Sequence, residues 1–204
     1  MFESSALPPQ TLGALAKLVP FVGDFYLSGG TALSMYYEHR VSEDLDFFTQ
    51  KEFDLLTLRS ELIASGIDLA DTDISSGTLH CLIDGVRVSF MEYRYNLLES
   101  FSSFLGVNVA SVIDIACMKL SAIMSRAEKK DYYDLAEILE NEPLDKLLQG
   151  FKSKYGSDID TYPILKSLCF FDDVEPSPDP SGATRSWKQV KSILVEACRK
   201  HMEM

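Results

Sequence analysis

Residues 25–48 read Phe-Tyr-Leu-Ser-Gly-Gly-Thr-Ala-Leu-Ser-Met-Tyr-Tyr-Glu-His-Arg-Val-Ser-Glu-Asp-Leu-Asp-Phe-Phe, and this stretch decides the fold. Phe25 to Leu27 is a short apolar run, which predicts a buried strand. Ser28, Gly29 and Gly30 follow at once, and a helical stretch then runs from Thr31 to about His39. From Asp44 the period changes to two, so Asp44 and Asp46 point to one face of a strand while Leu45 and Phe47 point to the other. Two carboxylates on one face repel each other unless something positive sits between them. A divalent cation with hard oxygen ligands is the usual answer. Glycine lets the backbone approach a ligand closely, and the helix that follows aims its free N–H groups at the same place. Strand, Gly-Gly turn, helix and Asp-x-Asp together put a phosphate cradle beside a metal site, as transfer of a nucleotide from a triphosphate requires.

On either side of this stretch the pattern alternates helices and strands. Leu12, Leu15, Ala16 and Val19 mark an amphipathic helix over 9–21, and a second helix is predicted over 52–65, ended by Gly66 in the left-handed conformation. Strands follow at 67–74, 78–83 and 86–93, with Asp84-Gly85 a strong hairpin turn between the last two. The third of these strands has no Asp in its alternating centre, Ser89 holds the central place on its polar side, and Glu92 near its end reads as a surface strand-end charge. Arg40 either holds a phosphate or pairs with Glu38 or Glu43.

After a connector at 96–109, read as partly helical, the chain becomes helical. Val112, Ile113, Ile115, Ala116, Leu120, Ile123 and Met124 define a helix over 111–126, on which Lys119 and Arg126 lie two turns apart on nearly one face. Another helix starts near Lys130 or Asp131 and stops at Asn141-Glu142-Pro143. Helices are expected at 144–155, 161–170 and 186–201, the last anchored by Trp187. The proline-rich, acidic run at 172–182 is expected to be a mobile surface loop. Asp131 and Asp134 have a plain structural reading as a helix cap and its first-turn partner, and Lys119 as a solvated lysine. His39, His80 and His201 form no ligand spacing.

Composition bounds the function. A chain of 204 residues, 46% hydrophobic and 25% charged, can bury a real core in one domain with a helical extension. No run is long enough to span a bilayer, and Met1–Pro9 lacks the basic and apolar blocks of a secretory signal, so a cytoplasmic protein is expected. The four scattered cysteines suggest reduced thiols and no zinc site. A net charge of −12 disfavours a broad nucleic-acid surface. The basic residues nevertheless gather late, with 6 Lys and Arg before residue 111 and 13 after it.

The series Gly29-Gly30-Thr31-Ala32-Leu33, then Arg40-Val-Ser-Glu-Asp44-Leu-Asp46-Phe-Phe, resembles the nucleotidyltransferase superfamily and, within it, the AbiEii/AbiGii-type toxins of abortive-infection and toxin–antitoxin systems. The stretch Lys119-Leu-Ser-Ala … Arg126 … Lys130-Asp131-Tyr-Tyr-Asp134-Leu135 is similar to that family's second motif. The resemblance implies an α/β (α+β) fold, with a nucleotidyltransferase core over 1–108 built on a mixed sheet of four to six strands with flanking helices, and a helical part over 109–204 that closes over it. It implies transfer of an NMP from an NTP. Asp44 and Asp46 would hold Mg²⁺ (or Mn²⁺), with Glu92 as a third ligand, and Ser28, Gly29, Gly30 and Thr31 would seat the nucleotide. Lys119 and Asp131 would be catalytic, with Arg40, Arg126 and Asp134 in support. An RNA 3′ end such as a tRNA acceptor and a cognate antitoxin are the implied partners. A small-molecule nucleotidyltransferase of aminoglycoside-modifying type, and a catalytically silent nucleotide- or partner-binding relative, are the alternatives.

Overall fold

The computed structural model describes residues 7–203, so most of the N-terminal stretch read as lacking a secretory signal lies outside the described residues. The chain divides into two compact units. The first runs to Tyr36 and then takes Ser42–Asn96 and Ser100–Ala110; the second takes Tyr37–Val41, Leu97–Glu99 and the residues from Ser111 onward.

Among the described residues, all the strands belong to the first unit. They are β1 (Tyr26–Ser28), β2 (Leu45–Thr49), β3 (Ala70–Ser75), β4 (Thr78–Ile83), β5 (Val86–Glu92), β6 (Ser102–Phe104) and β7 (Val107–Val109). They form one seven-stranded mixed sheet in the order β3-β4-β5-β2-β1-β7-β6. This is one strand more than the four to six expected, and the excess comes from residues 96–109. That segment carries the β6–β7 hairpin instead of a partial helix. Its turn, Leu105-Gly106, has φ of +49° and +86°, which matches the twist of the strands it joins. A leucine in the first turn position hides this from a sequence reading.

One face of the sheet is the core. Leu45 and Phe47, Leu79, Cys81 and Ile83, and Val86, Val88 and Phe90 are buried at alternate positions of β2, β4 and β5. Phe47 stacks on Phe90 with ring centres 5.4 Å apart. Helices α1 (Pro9–Leu18) and α3 (Leu55–Ala64) bury Leu15, Leu18, Leu58 and Leu62, with α1 packed on β5 and α3 on β4. Each such side chain contributes about 1.5–3 kcal/mol when fully buried. Asp54 caps α3, accepting the Thr57 N–H at 2.6 Å. The alternate positions of the strands, Asp46, His80, Arg87 and Ser89 among them, are half-buried or exposed. Helix α2 (Gly29–Tyr37) follows β1 without a loop.

The second unit is helical: α4 (Val112–Ser125), α5 (Lys129–Asn141), α6 (Leu144–Tyr155), α7 (Tyr162–Leu168) and α8 (Trp187–Met202). Ser111 caps α4, and Ser186 caps α8 in a reciprocal box with Gln189. Trp187 stacks on Tyr133 at 5.8 Å and meets Tyr132 and Phe171 edge-on, so it is the anchor its position suggested. The proline-rich run has no regular structure, yet it is tied down. Lys129 donates to the Ser177 carbonyl at 2.6 Å and pairs with Asp179 at 2.9 Å, while the Val41 N–H donates to the Ser181 carbonyl at 2.9 Å.

Candidate functional site

Two groups of candidate residues take shape, one in each unit. In the first, β1 and β2 are antiparallel with Ser28 opposite Asp46, so the strand carrying the acid runs beside the strand that ends in the Gly-Gly turn. Gly29 has φ +74°, and a Cβ built on it would lie 2.9 Å from Asp46 Oδ2. The carboxylate therefore faces the start of α2 so closely that a Cβ there would push it aside. Gly30 is buried behind it and Ser28 is fully buried. Thr31 is also buried. Its hydroxyl bonds the Asp44 carbonyl and meets Ser42 Oγ at 2.9 Å. The Thr31 hydroxyl therefore fixes the segment that carries Asp44 into β2. Thr11 on α1 holds the same segment, donating to the Glu43 carbonyl at 3.1 Å.

Glu92 does not join this group. β2 and β5 are parallel, pairing Asp46 with Ser89 and Thr49 with Glu92. Side chains alternate faces along a strand, so Glu92 lies on the face opposite Asp46. It pairs with Arg94 at 2.9 Å, as a strand-end surface charge would. The residue beside Asp46 on β5 is Ser89, and Ser89 Oγ is 3.0 Å from His80 Nδ1 on β4. His80 was not legible as a site residue because its neighbourhood depends on strand register.

In the second group, Lys119 on α4 is clamped by two carboxylates of α5, with Nζ 2.7 Å from Asp131 Oδ1 and 2.6 Å from Asp134 Oδ2. Arg40 Nε and Nη2 meet Asp134 at 2.6 and 2.9 Å, and His39 Nε2 meets it at 2.7 Å. Arg126 reaches Asp131 Oδ2 at 3.4 Å. Asp131 and Asp134 are wholly buried, while Lys119, Arg40 and His39 are nearly so. Burial raises the Asp134 carboxyl, but Lys119, His39 and Arg40 outweigh it and hold the group well below its ordinary value. Burial likewise lowers the Lys119 ammonium, and Asp134 and Asp131 outweigh that and raise it.

Four expectations change here. Arg40 has Asp134 as its partner, far off in sequence, whereas the sequence offered Glu38 or Glu43. Asp134 is a buried hub that orients Lys119 and Arg40, and its full burial leaves it no surface for a nucleotide. Lys119 is not a solvated lysine. The helix starts earlier than expected, at Lys129 after Glu128, so Asp131 sits within the first turn and is not its cap. His39 was missed, since nothing local in the sequence shows that a histidine and an arginine after α2 will meet an acid on α5. Beside this cluster, in the same unit, Arg40, Arg126, Lys129 and Lys130 line a surface hollow together with Glu128, Asp173 and Asp179.

The donor set near Gly29 fits a small hard cation. Mg²⁺ takes one or two carboxylates plus water and substrate phosphates; Asp46 is a half-exposed carboxylate beside a close backbone approach, and Asp44, also half-exposed, stands two residues before it. Among the described residues, no group of three or more His, Cys, Asp or Glu side chains is arranged to hold a metal. Also among them, no helix is long and apolar enough to cross a membrane.

The chain is similar to several known proteins in sequence and in fold. A family model described as nucleotidyl transferase AbiEii toxin, type IV toxin–antitoxin system, matches residues 11–98 and 86–193. An uncharacterized protein of Aquifex aeolicus (strain VF5) is 38% identical over 197 residues, covering 93% of this chain and 95% of its own. The crystal structure of JHP933 from Helicobacter pylori is similar with a TM-score of 0.55 at 19% identity, covering 97% of this chain and 95% of that one. The nucleotidyltransferase toxin MenT4 of Mycobacterium tuberculosis H37Rv is similar with a TM-score of 0.57 at 15% identity, covering 97% of this chain and 86% of that one.

Proposed function

This chain belongs to the AbiEii family of nucleotidyl transferase toxins and is a nucleotidyltransferase, and we propose that it moves an NMP from an NTP to an RNA 3′ end in a Mg²⁺-dependent reaction. The observation that carries the reading is the 2.9 Å approach of the Asp46 carboxylate to the place of a Gly29 Cβ, which sets an acid of the kind that binds hard cations at the mouth of a helix N-terminus. Asp44 and Asp46 would hold the cation, and Mn²⁺ suits the same oxygens. When bound, the metal neutralises charge that builds on the phosphates during transfer. The first-turn N–H groups of α2 seat phosphate oxygens, with Gly29 leaving room for them. Within the helical unit, Lys119 and Arg126 are the cations this reading assigns to phosphate charge. The 2.7 Å contact between Asp131 and Lys119 supports an orienting role for Asp131.

A tRNA acceptor end and a cognate antitoxin are the partners this reading carries, in the cytoplasm. The net charge of −12 favours a second reading in which the acceptor is a small cationic molecule of aminoglycoside type. Incubation of the purified protein with each labelled NTP, Mg²⁺ and total bacterial RNA separates the two. Label in an RNA band, lost in Asp44→Ala, supports the RNA acceptor and names the nucleotide. NTP binding without RNA labelling, with transfer to an aminoglycoside instead, supports the second reading.

A further inference from the structure

Register places Ser28, Asp46, Ser89, His80 and Asp73 abreast on β1, β2, β5, β4 and β3. Residues paired across neighbouring strands point to the same face, so these side chains form one polar row. Strands lie about 4.8 Å apart, which puts His80 roughly 10 Å from Asp46 with Ser89 between them. Ser89 Oγ and His80 Nδ1 are 3.0 Å apart. His80 is exposed and Ser89 half-buried, so an acceptor can reach both. A hollow opens there, lined by His80, Ser89, Arg87, Leu82 and Asp71.

Transfer on this face needs a base, because the acceptor hydroxyl must lose its proton as its oxygen bonds to phosphorus. No carboxylate stands beside Asp46 on β5, since Glu92 is on the other face. Asp131 is buried and engaged by Lys119 and Arg126. A serine hydroxyl alone is no base near neutral pH. One hydrogen-bonded to an unprotonated imidazole can pass a proton along.

Resting on the nucleotidyl-transfer reading above, we propose that Ser89 and His80 form the proton acceptor for the attacking hydroxyl, in the place where a third carboxylate was expected. The acceptor O–H gives its proton to Ser89 Oγ while the Ser89 proton passes to His80 Nδ1. The freed electron pair forms the new bond to the α-phosphorus. The bond from the α-phosphorus to the bridging oxygen breaks, and its electron pair leaves with pyrophosphate. His80 then releases the proton to solvent. The relay requires an imidazole that carries its hydrogen on Nε2, with the Nδ1 lone pair toward Ser89. The charged groups facing it are Asp73 and Asp71 from β3, Arg87 from β5, and Asp46 beyond Ser89.

The test is the single-turnover transfer rate against pH for the wild type, His80→Gln, Ser89→Ala and the double variant His80→Gln/Ser89→Asp. The wild type should show an acidic limb that His80→Gln removes. His80→Gln and Ser89→Ala should each lower the plateau about 100-fold, the low end of what a general base supplies. The Asp of the double variant should restore at least about 10-fold of that loss and move the limb down to the carboxylate range. Nitrogen NMR should show the resonance that His80→Gln removes as an Nε2–H imidazole. His80→Gln within about threefold of wild type with its acidic limb intact would overturn the assignment while leaving nucleotidyl transfer standing. A wild type that transfers to no acceptor would overturn the nucleotidyl-transfer reading itself, and this assignment with it.

Discussion

Gly29→Ala separates a structural glycine from a functional one. Its φ of +74° suits glycine, and alanine there costs roughly 1–2 kcal/mol. For a chain of this size that is a fall in Tm of roughly 2–8 °C. The atom a new Cβ meets is Asp46 Oδ2 at 2.9 Å, the end of a side chain that can turn aside, so the fold survives. Asp46 must nevertheless retreat by about half an ångström or more to restore ordinary contact, and the carboxylate then leaves its position beside the start of α2. Because a 1 Å misplacement costs about 100-fold in rate, a shift of half that size costs about 10-fold or more. Thermal melting, Mn²⁺ titration by calorimetry and single-turnover transfer should therefore diverge: a modest loss of stability, weaker metal binding and a rate reduced about 10- to 100-fold. Gly13, exposed on α1 with nothing within 4 Å of its Cβ, is the control. Alanine there should stabilise by about 0.5–1 kcal/mol and leave transfer unchanged. A Gly29→Ala protein that melts lower but transfers at the wild-type rate would refute the reasoning.

Asp134→Asn leaves Lys119 and Arg40 without their shared buried partner and should destabilise by about 3–5 kcal/mol, measured by urea unfolding. The folded-state value of Asp134 is depressed, so its contribution is present above the ordinary carboxylate range and lost as pH falls through the depressed value. Lys119 is raised, so its contribution is present below the ordinary lysine range and lost as pH climbs through the raised value. Stability of the wild type should therefore fall at both extremes, and Asp134→Asn should flatten the acid side. Gly150→Ala places a Cβ 3.2 Å from Ile113 and Leu98 and 3.3 Å from Cys117 Sγ, and should cost about 1–3 kcal/mol by thermal melting. Glu92→Gln, on the face away from Asp46, should leave both metal binding and transfer unchanged, with stability within about 0.5 kcal/mol.

What the sequence made legible was local. The apolar run before Ser28, the Gly29-Gly30 turn, the period-two Asp-Leu-Asp-Phe and the Asp84-Gly85 turn, with φ of +52° and +79°, all act within a few residues. The amphipathic helices were equally clear from their spacing. The hidden features depend on register or on partners far along the chain. Glu92 was a candidate because it is the only acid near the end of its strand. The pairing of Thr49 with Glu92 shows that it points away, and a one-residue slip would have reversed this. The same register sets Ser89 beside Asp46 and His80 beside Ser89. The hub at Asp134 joins α5 to His39 and Arg40, more than ninety residues earlier, and no periodicity reports such a contact. The β6–β7 hairpin was hidden by a turn without asparagine or aspartate.

The central claim is that the α-phosphorus is attacked and pyrophosphate leaves. Parallel incubations with NTP labelled at the α- or the γ-phosphate, with Mg²⁺ and acceptor, test it directly in the wild type and in Asp46→Asn. The account predicts that α-label enters the acceptor, that γ-label is released as pyrophosphate, and that Asp46→Asn does neither. Entry of γ-label into the acceptor, or undiminished α-label transfer by Asp46→Asn, would contradict it.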